Sequence, residues 1–238
     1  LAAGFLKRLL PWRLLRSKGE TWPEPLRQYM SQRKRLAKQT PLDRARFVVF
    51  DTETTGLDLS KNRLLSIAGV GVEGLEVRLG DAFEAMVAQT DVGGADAAVI
   101  HGLVSSDLGG GLPEDEAAAR FLAFAGNSIL VAQHAAFDIR MLRKAIAKHR
   151  GARVWSPSID TAQLARRVEG RTMSSGEAHG VDARQEYQLD SLIARYDVET
   201  PDRHTAAGDA LATALLFQKL LKKAERRGIQ TVGELLAR

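Results

Sequence analysis

The chain of 238 residues contains no cysteine, which excludes disulfides and thiolate metal sites and leaves oxygen and imidazole to hold any metal. Such a ligand set favours hard cations such as Mg²⁺ or Mn²⁺. The same absence fits a reducing compartment, and a cytoplasmic protein is the expectation. No run of 18 or more uncharged apolar residues occurs, so no membrane-spanning helix is expected. From Leu1 to Leu15 the chain is apolar in patches, but Lys7, Arg8 and Arg13 interrupt it and no small-residue cleavage site follows. We read this stretch as neither signal nor anchor. Internal repeats and low-complexity tracts are also lacking.

What is present is an ordinary globular composition, 45% hydrophobic and 26% charged, with room for one substantial core and an appendage. The net charge of +5 is unevenly spread. Residues 1–46 hold twelve Lys or Arg against Glu20, Glu24 and Asp43, a net of +9, so residues 47–238 carry the balance of −4. A basic N-terminal arm therefore precedes an acidic body. Arms of this kind meet nucleic acid or anionic surfaces, the competing reading being a solvated linker. Within the arm, Leu26, Tyr29, Met30, Leu36 and Ala37 recur near helical spacing, which predicts one amphipathic helix over 25–39.

The pattern then changes. Phe47-Val48-Val49-Phe50 predicts a buried strand ending near Thr54-Thr55-Gly56. Apolar runs over 64–72 and 75–79, separated by Glu73-Gly74, predict a hairpin added to it. Helices are expected over 114–125, 137–149, 161–168, 189–196 and 206–227, with short strands over 129–132 and 154–159 and a long loop over 169–186. An antiparallel start followed by alternating helices and strands places the chain in the α/β class, a mixed sheet flanked by helices.

Asp51 and Glu53 stand two positions apart at the end of the first strand, so an extended backbone turns both carboxylates to one side. Two partly desolvated acids repel unless a cation stabilises them. An exposed acidic turn is the plainer alternative. Asp138 falls on the first turn of a helix, where an acid is also favoured by the helix dipole alone. Asp209 follows His204 by five residues, and five residues on a continuous helix turn side chains about 140° apart. His204 is therefore expected in the loop before the helix, with Thr205 as a possible N-cap. Four carboxylates and a histidine suit two-metal phosphodiester hydrolysis, with His204 taking the proton of the attacking water.

Three segments resemble the motifs of the DnaQ-like, or DEDDh, 3′→5′ exonuclease superfamily, which includes the epsilon proofreading subunit of bacterial DNA polymerase III. They are FVVFDTETTGLD at 47–58, VAQHAAFDIRML at 131–142 and HTAAGDALATALL at 204–216, in the order the superfamily has them. The resemblance covers about residues 47–220 and implies a ribonuclease-H-like fold with the basic helical arm appended. It also implies hydrolysis of single-stranded 3′ ends to 5′-mononucleotides with two divalent cations, Mg²⁺ or Mn²⁺.

By position, Asp51, Glu53, Asp138 and Asp209 become metal ligands and His204 the general base. Thr52 and Thr54 match positions whose backbone or hydroxyl contacts the terminal nucleotide, Leu57 an apolar side chain against the last bases, and Phe137 an aromatic floor. Core packing is the alternative for Leu57 and Phe137. Ile100-His101-Gly102 and Asp160-Thr161 match softer elements, and helix capping is expected of Asp160. Gln133-His134 departs from the usual His-Asn, although both residues can hydrogen-bond. In the long loop, Arg171 and His179 are read as solvated rather than as nucleic-acid contacts.

Together these features predict an exonuclease domain over 47–238, acting on single-stranded DNA 3′ ends in proofreading or repair. RNA trimming by the same chemistry is the alternative, and a catalytically idle binding module a third reading. A DNA polymerase or another protein is the expected partner of the arm.

Overall fold

The computed structural model describes residues 22–35, 37–88, 110–170, 185–200 and 202–237. The patch before Trp22, His101 with its neighbours, and Arg171 and His179 lie outside them. The strands are β1 (Arg46–Thr54), β2 (Leu64–Glu73), β3 (Glu76–Met86), β4 (Ile129–Ala132) and β5 (Ser158–Asp160). They form one sheet in the order β3-β2-β1-β4-β5. The three long strands pair antiparallel, whereas β4 and β5 run parallel to β1. The helices are α1 (Glu24–Ser31), α2 (Glu114–Ala125), α3 (Ala136–Ala145), α4 (Thr161–Glu169), α5 (Leu189–Arg195), α6 (Ala206–Arg226) and α7 (Val232–Leu236).

Because β1 is central and covered on both faces, its apolar residues run without alternation and feed two cores. Phe47 and Val49 point to a core shared with α4, α5, α6 and α7, where the Phe217 ring meets Phe47 edge-on at 5.1 Å. Val48 and Phe50 point to the other core, against Phe121 of α2, Met141 of α3 and Leu26 and Tyr29 of α1. The β2–β3 turn is Gly74-Leu75, both with positive φ, the two-residue geometry that matches strand twist.

Three expectations are corrected. The arm's helix ends at Ser31, and 33–35 has no regular structure. Past Ser31 the backbone finds partners outside a helix: the Lys34 N–H donates to Asn127 Oδ1 at 3.3 Å, and the Lys38 and Thr40 carbonyls accept from Gly233 and Val232 at 2.7 and 2.9 Å. Strand β3 continues to Met86, beyond the expected end at residue 79, because a register shift at Val70/Gly71 absorbs the polar interruption around Gly80-Asp81. Strand β5 spans three residues, shorter than the six expected.

Helix α1 packs on the body as an integral element. Tyr29 stacks on Trp155 at 4.8 Å, and its hydroxyl lies 3.1 Å from Ser156 Oγ and accepts from the Trp155 N–H at 3.0 Å. Leu26 beside it is fully buried. Replacing Leu26 with Ala is expected to cost about 2–5 kcal/mol, read from urea unfolding. A loss below about 1 kcal/mol would show that α1 contributes nothing to the core.

Candidate active site

Strand β1 outruns its parallel neighbour. Pairing with β4 covers Phe47–Val49 only, while pairing with β2 continues to Thr54, so Asp51 and Glu53 stand where the sheet opens beside β1. Helix α6 crosses this end with Asp209 in its first turn. One carboxylate oxygen from each of Asp51, Glu53 and Asp209 lies within 4.8 Å of the others. Oxygen donors gathered so closely fit a hard divalent cation, and no other side chains among the described residues form such a group.

The fourth acid arrives from the other side. Asp138 lies in the first turn of α3 and is 4% exposed, and the Thr52 hydroxyl donates to its Oδ1 at 2.6 Å. Alternation along β1 thus divides the work: residues 51 and 53 present carboxylates to the opening while residue 52 steers the acid behind them. Burial pushes the Asp138 carboxyl up to about 7, against the lowering effect of the Thr52 bond. Burial also drives Asp51 well above the usual carboxylate range, and the charges of Asp138 and Glu53 drive it further. Glu53 is raised by burial, with His204 and Arg203 opposing.

His204 sits ahead of α6, off the helix, as the spacing required. Its φ is +66° and that of Asp202 is +56°, an unusual pair for residues with side chains. Three bonds hold the turn. Thr205 Oγ1 caps the helix by accepting from the Gly208 N–H at 3.0 Å and donates to the Asp202 carbonyl at 2.9 Å, and the His204 N–H donates to Asp209 Oδ1 at 3.1 Å. Gly208 is required here, because a Cβ would stand 1.8 Å from the Asp202 carbonyl oxygen. The imidazole is exposed.

Arg203 was not foreseen as part of this constellation. Its guanidinium bridges Asp209 and Asp190 of α5 and lowers the proton affinity of both Asp51 and Glu53. The available signal was its place beside His204 in a loop leading to an acid.

The remaining candidates separate. The hydroxyl of Thr52 is committed to Asp138 and that of Thr54 donates to the Gly56 carbonyl at 2.8 Å, so both serve the protein internally. Leu57 is 85% exposed, which removes the core-packing alternative, while Phe137 is half-buried against the second core. Gln133 turns inward, donating to the Tyr187 carbonyl at 2.7 Å and accepting from Thr161. Asp160 caps α4 as expected, accepting from the Ala162 and Gln163 N–H groups at 2.9 and 3.2 Å.

Known proteins converge on the same segment. The family model described as Exonuclease, of the RNase T type, matches residues 48–217. The chain belongs to this exonuclease family. Among members of the family, it is 34% identical over 201 residues to a DNA polymerase III subunit epsilon-like protein of Rhodobacter capsulatus, covering 83% of this chain and 27% of that one. It is 29% identical to the DNA polymerase III subunit epsilon of Aquifex aeolicus, covering 74% and 81%. The chain thus spans about a quarter of the length of the first of these relatives.

Solved exonucleases share the fold. E. coli exonuclease I in complex with a dT13 oligonucleotide superposes with a TM-score of 0.63 at 17% identity, covering 78% of this chain and 43% of that one. Exonuclease X in complex with 5′ overhanging duplex DNA gives 0.56 at 21%, covering 80% and 99%. The DnaQ-like, ribonuclease-H-like exonuclease fold is therefore that of this chain.

The crowded acids make the metal-free exonuclease sensitive to pH. An unfolded aspartate titrates near 3.9. Asp138, raised to about 7 in the folded chain, keeps its proton between those values while the unfolded residue loses it, so stability falls as pH climbs from 4 to 7. Asp138→Asn should gain melting temperature relative to the parent as pH moves from 5 to 8 without metal. Mn²⁺ at about 100 times its Kd should raise the parent by about 2.7 kcal/mol, or about 5–11 °C for a chain of this size, and raise Asp51→Asn far less. Equal pH profiles for parent and Asp138→Asn would contradict the burial of that charge.

Proposed function

We propose that this chain is a metal-dependent 3′→5′ exonuclease that removes 5′-mononucleotides from single-stranded DNA ends. The reading rests on one observation above the rest: the carboxylates of Asp51, Glu53 and Asp209 converge beside an exposed imidazole at the open end of β1. Two divalent cations, Mg²⁺ or Mn²⁺, would be held by Asp51, Glu53, Asp138 and Asp209. Bound there, they would activate water and stabilise the departing 3′ oxygen.

The protein's own groups do the rest. His204 takes a proton from the attacking water at a ring nitrogen, and its exposure gives that water access. Thr52 and the first turn of α3 fix Asp138, and the bonds around Thr205 and Gly208 fix His204 relative to Asp209. Leu57, exposed three residues beyond β1, supplies an apolar face for bases, and Phe137 a partial aromatic one. Such contacts tolerate any sequence, as an exonuclease needs. The backbone around Thr52 and Thr54, rather than their occupied hydroxyls, is the part left to meet the terminal nucleotide.

The basic residues 1–46, of which α1 packs on the body, would serve substrate or a polymerase partner, with catalysis assigned to 47–238. The names of the epsilon relatives, as DNA polymerase III subunits, support a replication or repair setting.

A single-stranded DNA labelled at its 5′ end decides polarity and chemistry together. With Mg²⁺ or Mn²⁺ it should shorten stepwise as a labelled ladder, and chelator should stop it. Asp51→Ala should abolish the ladder, and His204→Ala should slow it about 10²–10⁴-fold. Immediate release of labelled mononucleotide would overturn the polarity, and faster digestion of a matched RNA would move the substrate to RNA.

A further inference from the structure

At the opposite end of β1 from the acids lies a cleft of about 610 Å³, walled by the connector between α1 and β1 and by the turn between α2 and β4. Lys34, Arg35, Arg44 and Arg46 line it, and no acidic side chain does. Arg46 is engaged, donating to Asp81 at 2.8 Å and to the Ala125 carbonyl at 3.1 Å. Lys34, Arg35 and Arg44 are exposed and have no ion-pair partner among the described residues. Three unpaired cations at one concavity whose lining holds no carboxylate leave a local field that attracts anions.

The wall is built, not draped. Asn127 holds the Lys34 backbone, and the carbonyls of Lys38 and Thr40 are tied to the start of α7. Lys34 and Arg35 follow the end of α1 and Arg44 closes a 3₁₀ turn over Leu42–Arg44, so two separate stretches of the connector bring cations to the cleft. Asn127 and Gln32 add amide groups to the same lining. Several cations with neutral amide donors beside them suit the phosphates of a nucleic-acid backbone, which are contacted by just such groups.

We propose that this cleft is a second nucleic-acid site, binding backbone phosphates of the substrate strand on the 5′ side of the nucleotide being removed. The inference rests on the exonuclease reading for the identity of the strand. From Arg46 to Glu53 the extended chain climbs about 23 Å at about 3.3 Å per residue. At the 3.4 Å per nucleotide of a stacked strand that is about seven nucleotides. Strands shorter than this reach the acids but not the cleft, and longer ones reach both. The cleft therefore favours longer strands without any part in the cleavage step.

Binding and cleavage are separated by measuring them apart. Fluorescence anisotropy with chelator, on single-stranded oligonucleotides of 4 and 16 nucleotides, compares the parent with the triple variant Lys34→Ala/Arg35→Ala/Arg44→Ala. The parent should bind the 16-mer much more tightly than the 4-mer. The variant should lose at least about tenfold on the 16-mer and little on the 4-mer, and its salt dependence should flatten by about 2 in log–log slope, at about 0.7 per lost phosphate contact. Digestion of the 4-mer with Mn²⁺ should be the same for both.

Parent-like 16-mer affinity and salt slope in the variant would overturn the proposal and leave the cleft to an acidic protein segment. Equal loss on both lengths would overturn it too, since the effect would not depend on reach. Failure of both proteins to digest the 4-mer would sink the exonuclease reading, while the anisotropy comparison would still judge the cleft.

Discussion

Like-charge crowding at the end of β1 governs the rest of the molecule. An extended strand cannot place residues 51 and 53 on one side without setting their carboxylates close together, and α6 brings Asp209 within 4.8 Å of both. Partial burial removes the water that would screen them, so Asp51 retains its proton well above the usual range and Glu53 is raised as well. The fold offsets this in two ways. Asp138 and Asp209 both occupy first turns, where helix N-termini favour negative charge. Arg203 brings a permanent positive charge to Asp209. Neither measure neutralises the whole group, which is why hard cations fit the remainder.

The second constraint is geometric. His204 stands near Asp209 without sharing its helix face, because the chain turns sharply just before α6. Two residues with positive φ cost backbone energy, and the Thr205 cap, the Gly208 contact and the His204-to-Asp209 bond hold them in place. Backbone strain therefore falls in residues 202–208, beside the converging carboxylates. The same turn carries Arg203, so one loop supplies an imidazole, a guanidinium and the mouth of a helix.

The central strand, the same-side pair at 51 and 53, and the displacement of His204 from α6 were legible because each follows from a local period of two or 3.6 residues. The family motifs added the partnership of Asp138, which position alone left as an ordinary helix-start acid. What was not legible depended on contacts between distant segments. The end of α1 is set by bonds to Asn127 and to the start of α7, about ninety and two hundred residues away. The length of β3 depends on a bulge in its pairing with β2. The bond from the Thr52 hydroxyl to Asp138, 86 positions later, has no local signature. Arg203 was hidden for the same reason: an exposed-looking cation acquires meaning only from the acids that folding brings to it.

The charge asymmetry along the sequence becomes an asymmetry in space. Strand β1 begins at Arg46, among the cations of the cleft, and ends beside three converging carboxylates. About 20 Å of strand separates them, twice the roughly 8–10 Å over which salt screens charges at ordinary ionic strength. The cations are too far away to relieve the acids, so the basic end cannot stand in for bound metal. Conversely, the acids do not cancel the field in the cleft. A strand anchored at one end of β1 and cut at the other would meet two independent electrostatic environments: one that holds phosphates by charge alone, and one that repels them until divalent cations reverse its sign.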